Sequence, residues 1–190
     1  MVFTFYAIYP PNDERLSRNL DNLFSYDSSL VSGKPYIQVM EITIEDPRAQ
    51  EVSALLHKHL DFCHSVTPAE NVFALDVEKL RLPGIALFGA RDQGELVGVC
   101  ALKLITSTHA ELKSMHVLPS SRGKGIGGLL VSHLLDFARA GGIERVSLET
   151  SPDDAFAPAR RLYASRGFVE SGPFADYQEG PTSVFMSLSV

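Results

Sequence analysis

The chain has 190 residues, a length that fits one domain or one domain with an appendage. Hydrophobic residues make up 45% of it and charged residues 21%, with a net charge of −6, the balance of an ordinary globular protein. This argues against a broad basic face for nucleic acid, and no apolar run approaches the ~18–20 residues of a membrane span, so neither is expected as a partner. Cys63 and Cys100 stand far apart and form no metal-type pair, which makes a reducing cytoplasm the simpler expectation. The segment Met1 to Pro11 has no basic residue and ends at Pro10-Pro11, unlike a signal peptide.

Residues 1–36 form an extension of unknown role, in which Leu16, Leu20, Leu23 and Phe24 fall at helical spacing. Residues 37–190 are punctuated regularly. Tyr36 to Ile44 alternates apolar and polar and predicts a strand. Asp46-Pro47 predicts a helix start running to about Ser65. A second, shorter helix is expected over Pro68 to Leu80. Ile85 to Arg91 and Leu96 to Ile105 predict strands joined by a tight hairpin at Asp92-Gln93-Gly94. Glu111 to Val117 predicts another strand. After a glycine-rich turn comes a helix with Ile126, Leu130, Leu134 and Phe137 on one face and Leu129 beside them, ended by Gly141-Gly142. Val146 to Thr150 reads as a strand, Ala155 to Ser165 as a helix, and Phe168 to Ser171 and Val184 to Leu188 as closing strands. The fold class is α/β: a mixed sheet of six to seven strands with about four helices, not a strict βαβ alternation.

His57, His59, Cys63 and His64 share one expected helix, but His59 and Cys63 fall on one face and His57 and His64 on another. A tetrahedral site needs all four together, so no metal is expected.

The richest segment is Arg122-Gly123-Lys124-Gly125-Ile126-Gly127-Gly128. Glycines there let the backbone turn its amides inward as a nest, and the helix N-terminus adds positive potential. With Arg122 and Lys124 this makes an anion site suited to phosphate or pyrophosphate. Gly123, Gly125 and Gly128 formally match the dinucleotide pattern G-x-G-x-x-G, which leaves a nicotinamide-dependent oxidoreductase as an alternative. A doubly wound fold, however, opens with that pattern, and here most of the chain precedes it.

The same stretch also reads R-x-x-G-x-G at Arg122, Gly125 and Gly127. With Met115-His116-Val117 before it, it resembles the pyrophosphate loop of the GNAT superfamily of acetyl-CoA-dependent N-acetyltransferases. A second block, Ala159-Arg160-Arg161-Leu162-Tyr163-Ala164-Ser165-Arg166-Gly167-Phe168, resembles the family's A-x-x-L-Y-x-x-x-G-F segment, in the expected order. Glu111 to Met115, Leu148-Glu149-Thr150 and Pro173 to Tyr177 are similar to the stand-alone bacterial YsnE-like branch. One departure stands at Phe156, where the family often carries a cofactor-contacting Asn.

The resemblance implies a GNAT fold over residues 37–190 and assigns roles. The backbone of Met115, His116 and Val117 would pair with the pantetheine arm of acetyl-CoA, the amide of Val117 polarising the thioester carbonyl. Gly123, Lys124, Gly125, Ile126, Gly127 and Gly128, with Arg122, would hold the pyrophosphate. Tyr163 would protonate the departing thiolate. Deprotonation of the acceptor amine would fall to Glu111 first and Glu149 second, with His109 and His116 as further candidates. Asp176 and Tyr177 would line the acceptor pocket. The implied reaction is direct acetyl transfer to a primary amine of a small molecule or peptide, without an acyl-enzyme. A non-catalytic acyl-CoA sensor is the other alternative, and exposed strand ends make a homodimer plausible.

Overall fold

The computed structural model describes residues 40–67 and 73–190. The expected helix around Leu16 to Phe24, the whole 1–36 extension and the first residues of the strand expected from Tyr36 lie outside the described residues. The described chain runs β1 (Met40–Ile44), α1 (Gln50–Val66), β2 (Ile85–Asp92), β3 (Glu95–Leu104), β4 (His109–Val117), α2 (Ile126–Ala140), β5 (Arg145–Thr150), α3 (Ala157–Ser165), β6 (Val169–Ser171) and β7 (Val184–Ser189). The seven strands form one sheet in the order β1-β2-β3-β4-β5-β7-β6. Every neighbouring pair is antiparallel except β4 and β5.

The β2–β3 hairpin turns at Gln93 (φ +53°) and Gly94 (φ +86°). Two successive positive φ angles mark the primed turn whose twist matches the flanking strands. Asp46 and Pro47 do not start α1 directly. The Asp46 side chain accepts from the Arg48 amide at 2.9 Å and its carbonyl from the Ala49 amide at 3.0 Å, so these residues close a turn and the helix begins at Gln50.

The expected helix over Pro68 to Leu80 is not formed in its described part. Residues 73–78 carry no helix, and Lys79–Arg81 is a single 3-10 turn whose first amide is held by Asp76 Oδ1 at 2.8 Å. Once Asp76 caps that turn, the backbone has a local partner that competes with an α-helix. Three α-helices are thus present among the described residues rather than about four.

The strands are apolar on both faces because both faces are covered. On one, Val52, Leu55 and Leu56 of α1 pack on Ile85, Leu87, Val99 and Ala101. On the other, Ile126, Leu130, Val131, Leu134 and Ala138 of α2 pack on Phe88, Cys100, Leu102, Ala110 and Leu112, with Val146, Leu148 and Tyr163 beside them. Leu129 lies off that stripe and is half exposed. Leu130 is fully buried, and Leu130→Ala is expected to lower stability by about 2–5 kcal/mol through lost burial and the residual cavity, read from the urea midpoint at unchanged slope.

Two features of β4 open the middle of the sheet. It pairs with β5 only from His109 to Glu111, opposite Arg145 to Ser147, after which the two strands run on unpaired. Its register with β3 also shifts between Val99 and Ala101, where Ser114 takes φ +51° as a bulge. The N-terminus of α2 stands at the end of the resulting gap. Gly142 (φ +76°) closes the same helix at its far end, with its amide on the Arg139 carbonyl at 3.0 Å. Among the described residues no helix is long and apolar enough to cross a membrane.

Candidate active site

The glycine-rich turn adopts the geometry its composition asks for. Gly123 (φ +77°) and Gly125 (φ +80°) are left-handed, and a side chain at either would meet open space rather than packed atoms. Gly125 is the N-cap of α2, and its carbonyl accepts from the Leu129 amide at 3.1 Å. Among the described residues, the amides from Gly123 to Gly128 have no protein acceptor, as the first turn of a helix requires unless a ligand supplies one.

The later glycines serve close packing. A β-carbon at Gly127 would lie 3.0 Å from Leu162 and 3.3 Å from Met115, and one at Gly128 would run into the Arg166 guanidinium. Arg166 therefore lies over the first turn of α2, a cation the sequence reading did not single out. Its signal was the absent side chain at Gly128. Arg122 turns back instead, its Nε donating to the Val117 carbonyl at 3.1 Å and pinning the end of β4. Lys124 is exposed and does not line the cleft.

The cleft between β4 and β5 has a volume of about 420 Å³ and reaches from this turn to α1. Met115, His116, Val117, Glu149 and Tyr163 all line it. The amide of Leu118 donates to Val97 of β3 at 2.9 Å. Amides alternate along a strand, so that of Val117 is turned to the other edge, facing the cleft. The Met115 and Val117 side chains pack toward Gly127. His116 points to the opposite face, its ring edge-on to His59 of α1 at 5.5 Å. Burial pushes both imidazoles down to about 4, so each is neutral at pH 7.

Tyr163 is 5% exposed and packs edge-to-face on Phe168. Burial raises its phenol well above the usual tyrosine range, so its proton is retained. Phe156, in the position of the family's Asn, lines the cleft wall with Phe62, their rings 5.2 Å apart. The 3-10 turn Asp154–Phe156 feeds straight into α3, its first amides capped by Asp153 Oδ1 on Ala155 at 2.8 Å. Cys63 also lines the cleft, 3.8 Å from His59 Nε2. Burial raises its thiol to about 11, so it holds no nucleophilic thiolate near neutrality.

The two carboxylates are set apart by their surroundings. Glu111 is 1% exposed and does not line the cleft. Its Oε1 accepts from Lys113 Nζ at 3.0 Å and from the Tyr177 hydroxyl at 2.6 Å, and Lys103 Nζ lies 3.8 Å from Oε2. Glu149 opens onto the cleft and, among the described residues, has one donor, the Ser183 hydroxyl at 2.9 Å. Burial raises its carboxyl above the ordinary range. Tyr177 lies behind Lys113, its ring against Phe73 and Phe174, while Asp176 is exposed and away from the cleft. His109 is tied to Ser147 at 2.8 Å, at the closed end of the strand pair.

Parted central strands with a bare-amide turn at one end, and a buried phenol and carboxylate in the wall, are the arrangement expected of an acyl-CoA-dependent acyltransferase. Among the described residues the sheet has one parallel pair, β4 and β5, and not the doubly wound order that the dinucleotide pattern requires. Residues 49–168 match the model of the acetyltransferase (GNAT) family. The chain is 42% identical over 148 residues to the uncharacterized N-acetyltransferase YsnE of Bacillus subtilis, covering 78% of this chain and 98% of that protein. It is 36% identical over 146 residues to the IAA acetyltransferase of Azospirillum brasilense, covering 76% and 94%. A Bacillus subtilis acetyltransferase solved in complex with CoA shares the fold at a TM-score of 0.60 and 19% identity, covering 80% of this chain and 99% of that one. The chain belongs to the GNAT family of acetyltransferases.

Proposed function

We propose that the protein transfers the acetyl group of acetyl-CoA directly to the primary amine of a small molecule or peptide, with no acyl-enzyme. The observation that carries this reading is the gap between β4 and β5, with free amides from Gly123 to Gly128 at one end and Tyr163 and Glu149 in its wall. In this reading the loop amides hold the pyrophosphate, with Arg122 beside them at the same end of the cleft. The β4 edge from Met115 to Val117 pairs with the pantetheine arm, and the Val117 amide donates to the thioester carbonyl as charge develops there.

The acceptor nitrogen attacks the carbonyl carbon, the C–S bond breaks, and the Tyr163 hydroxyl gives its proton to the departing sulfur. Glu149 takes the proton lost by the amine, directly or through water. Glu111 stands behind this carboxylate in its own buried network. Cys63 stays a thiol, which keeps the transfer direct.

The test is release of free CoA thiol from acetyl-CoA across a panel of primary amines. Saturable release that depends on the amine, with N-acetylated product identified by mass spectrometry, is expected. Tight acetyl-CoA binding with no release for any amine would replace this reading by that of an acyl-CoA sensor.

A further inference from the structure

Among the described residues, the cleft is lined by one carboxylate, Glu149, and by two cations, Arg122 at the glycine-rich turn and Lys113, on β4, away from it. Lysine is rarely buried unless paired, yet the Lys113 side chain is only 8% exposed. Its Nζ donates to Glu111 Oε1 at 3.0 Å and to the Tyr177 hydroxyl at 2.7 Å, and sits 5.5 Å from the centre of the Tyr177 ring. The Tyr177 hydroxyl in turn donates to Glu111 Oε1 at 2.6 Å. An ammonium has three donors; among the described residues two are spent in this triangle and one is left.

The triangle is asymmetric in what it shows to a ligand. Glu111 is behind the wall and has a second cation, Lys103, 3.8 Å away, whereas Lys113 is in the wall itself. A buried ion pair seldom stabilises a fold more than an apolar pair of the same volume would, so stability alone gives no reason for this lysine. A rigidly held ammonium with a free donor is suited to a carboxylate. The wall also carries three phenylalanines, Phe62 against Phe156 at 5.2 Å and Phe73, whose ring stands 5.2 Å from that of Tyr177 behind it. The whole cleft is about 420 Å³ and must also admit the pantetheine arm, so the acceptor is small.

Resting on the transferase reading above, we infer that the acceptor is an amine that also carries a carboxylate, an α-amino acid with an apolar or aromatic side chain, and that Lys113 recognises the carboxylate. The amine lies toward Glu149, the carboxylate meets Lys113, and the side chain lies on the phenylalanines. Tyr177 is a positioning residue that holds the ammonium.

The test uses L-phenylalanine and phenethylamine, two primary amines of similar shape that differ by the carboxylate. Their binding to the full chain saturated with CoA is measured by calorimetry, which is independent of turnover. Phenylalanine is expected to bind the wild type about ten-fold or more tighter, the scale of one charge-assisted hydrogen bond. Lys113→Met should collapse that ratio toward one, and Lys113→Arg should retain most of it. Equal binding of the two amines, binding of neither, or a ratio that survives Lys113→Met would overturn the inference. If Lys113→Met does not fold, as judged by circular dichroism, the wild-type ratio and Lys113→Arg decide. Discrimination in binding with no CoA release would sink the transferase reading while supporting carboxylate recognition. Release with phenethylamine but no discrimination would do the reverse.

Discussion

Tyr163→Phe is expected to lower turnover by about 10²–10⁴-fold, the range of a positioned general acid, while leaving the affinity for acetyl-CoA nearly unchanged. The substitution removes one oxygen and keeps the ring that packs edge-to-face on Phe168. The hydroxyl has no hydrogen-bond partner among the described residues, so its loss breaks nothing that the fold uses. Burial raises the phenol's pKa, which keeps the proton on the oxygen across the neutral range and so available for donation. As the C–S bond stretches, negative charge gathers on the sulfur, and the phenol stabilises it by hydrogen bonding and protonates it on departure. Steady-state kinetics give the drop in kcat, and calorimetry with acetyl-CoA gives the affinity. Turnover within a few-fold of the wild type would remove Tyr163 from the chemistry and leave it a packed aromatic.

Tyr163 and the glycine turn were legible in the sequence because each rests on local constraint. Gly123 and Gly125 stand where φ is positive, and Gly127 and Gly128 where a side chain would strike Leu162, Met115 or Arg166. Both Glu111 and Glu149 stood out in the sequence as candidate bases on neighbouring strands. Which of them opens to the cleft was not legible. That depends on Tyr177, which reaches Glu111 from 66 residues further along the chain, and on the point at which β4 and β5 stop pairing. Neither leaves a periodic trace. The same holds for Cys63, which looked remote from the loop in sequence and lines the cleft because α1 crosses over the end of β4. The misplaced helix over Pro68 to Leu80 has a different cause. Spacing alone could not register that Asp76 would cap a short 3-10 turn.

Lys113 illustrates why a buried charge is easy to pass over in a sequence. In Glu111-Leu112-Lys113 the alternation reads as a strand with one polar face, and a polar face normally means solvent. Here that face is covered by α1 and by the two loops that carry Phe73 and Tyr177, so both charges are enclosed. The enclosure gives an ordinary surface pattern the buried Lys113–Glu111 pair on which the inferred carboxylate recognition rests.

Glu149→Gln is expected to reduce kcat/KM by about 10²-fold or more while leaving the protein at least as stable at neutral pH. The two effects have one origin. Burial raises the Glu149 carboxyl above its ordinary range, against the pull of the Ser183 hydroxyl and Lys113. A carboxyl raised in the folded state favours folding below its unfolded pKa, and that contribution is lost as pH rises through the folded pKa. At neutral pH the wild type therefore carries a buried charge that the fold would be better without, and glutamine, still able to accept from Ser183, removes it. The same raised value makes a carboxylate a better base for an ammonium proton. The wild-type kcat/KM should fall as pH drops through that raised value, and Glu149→Gln should lose this acidic limb. Denaturation of both proteins at acid and neutral pH completes the test: the stability of the wild type relative to the variant should rise on acidification. A variant with full activity, or one that keeps the acidic limb, would move the proton-accepting role away from Glu149, with Glu111 the next carboxylate along the same face.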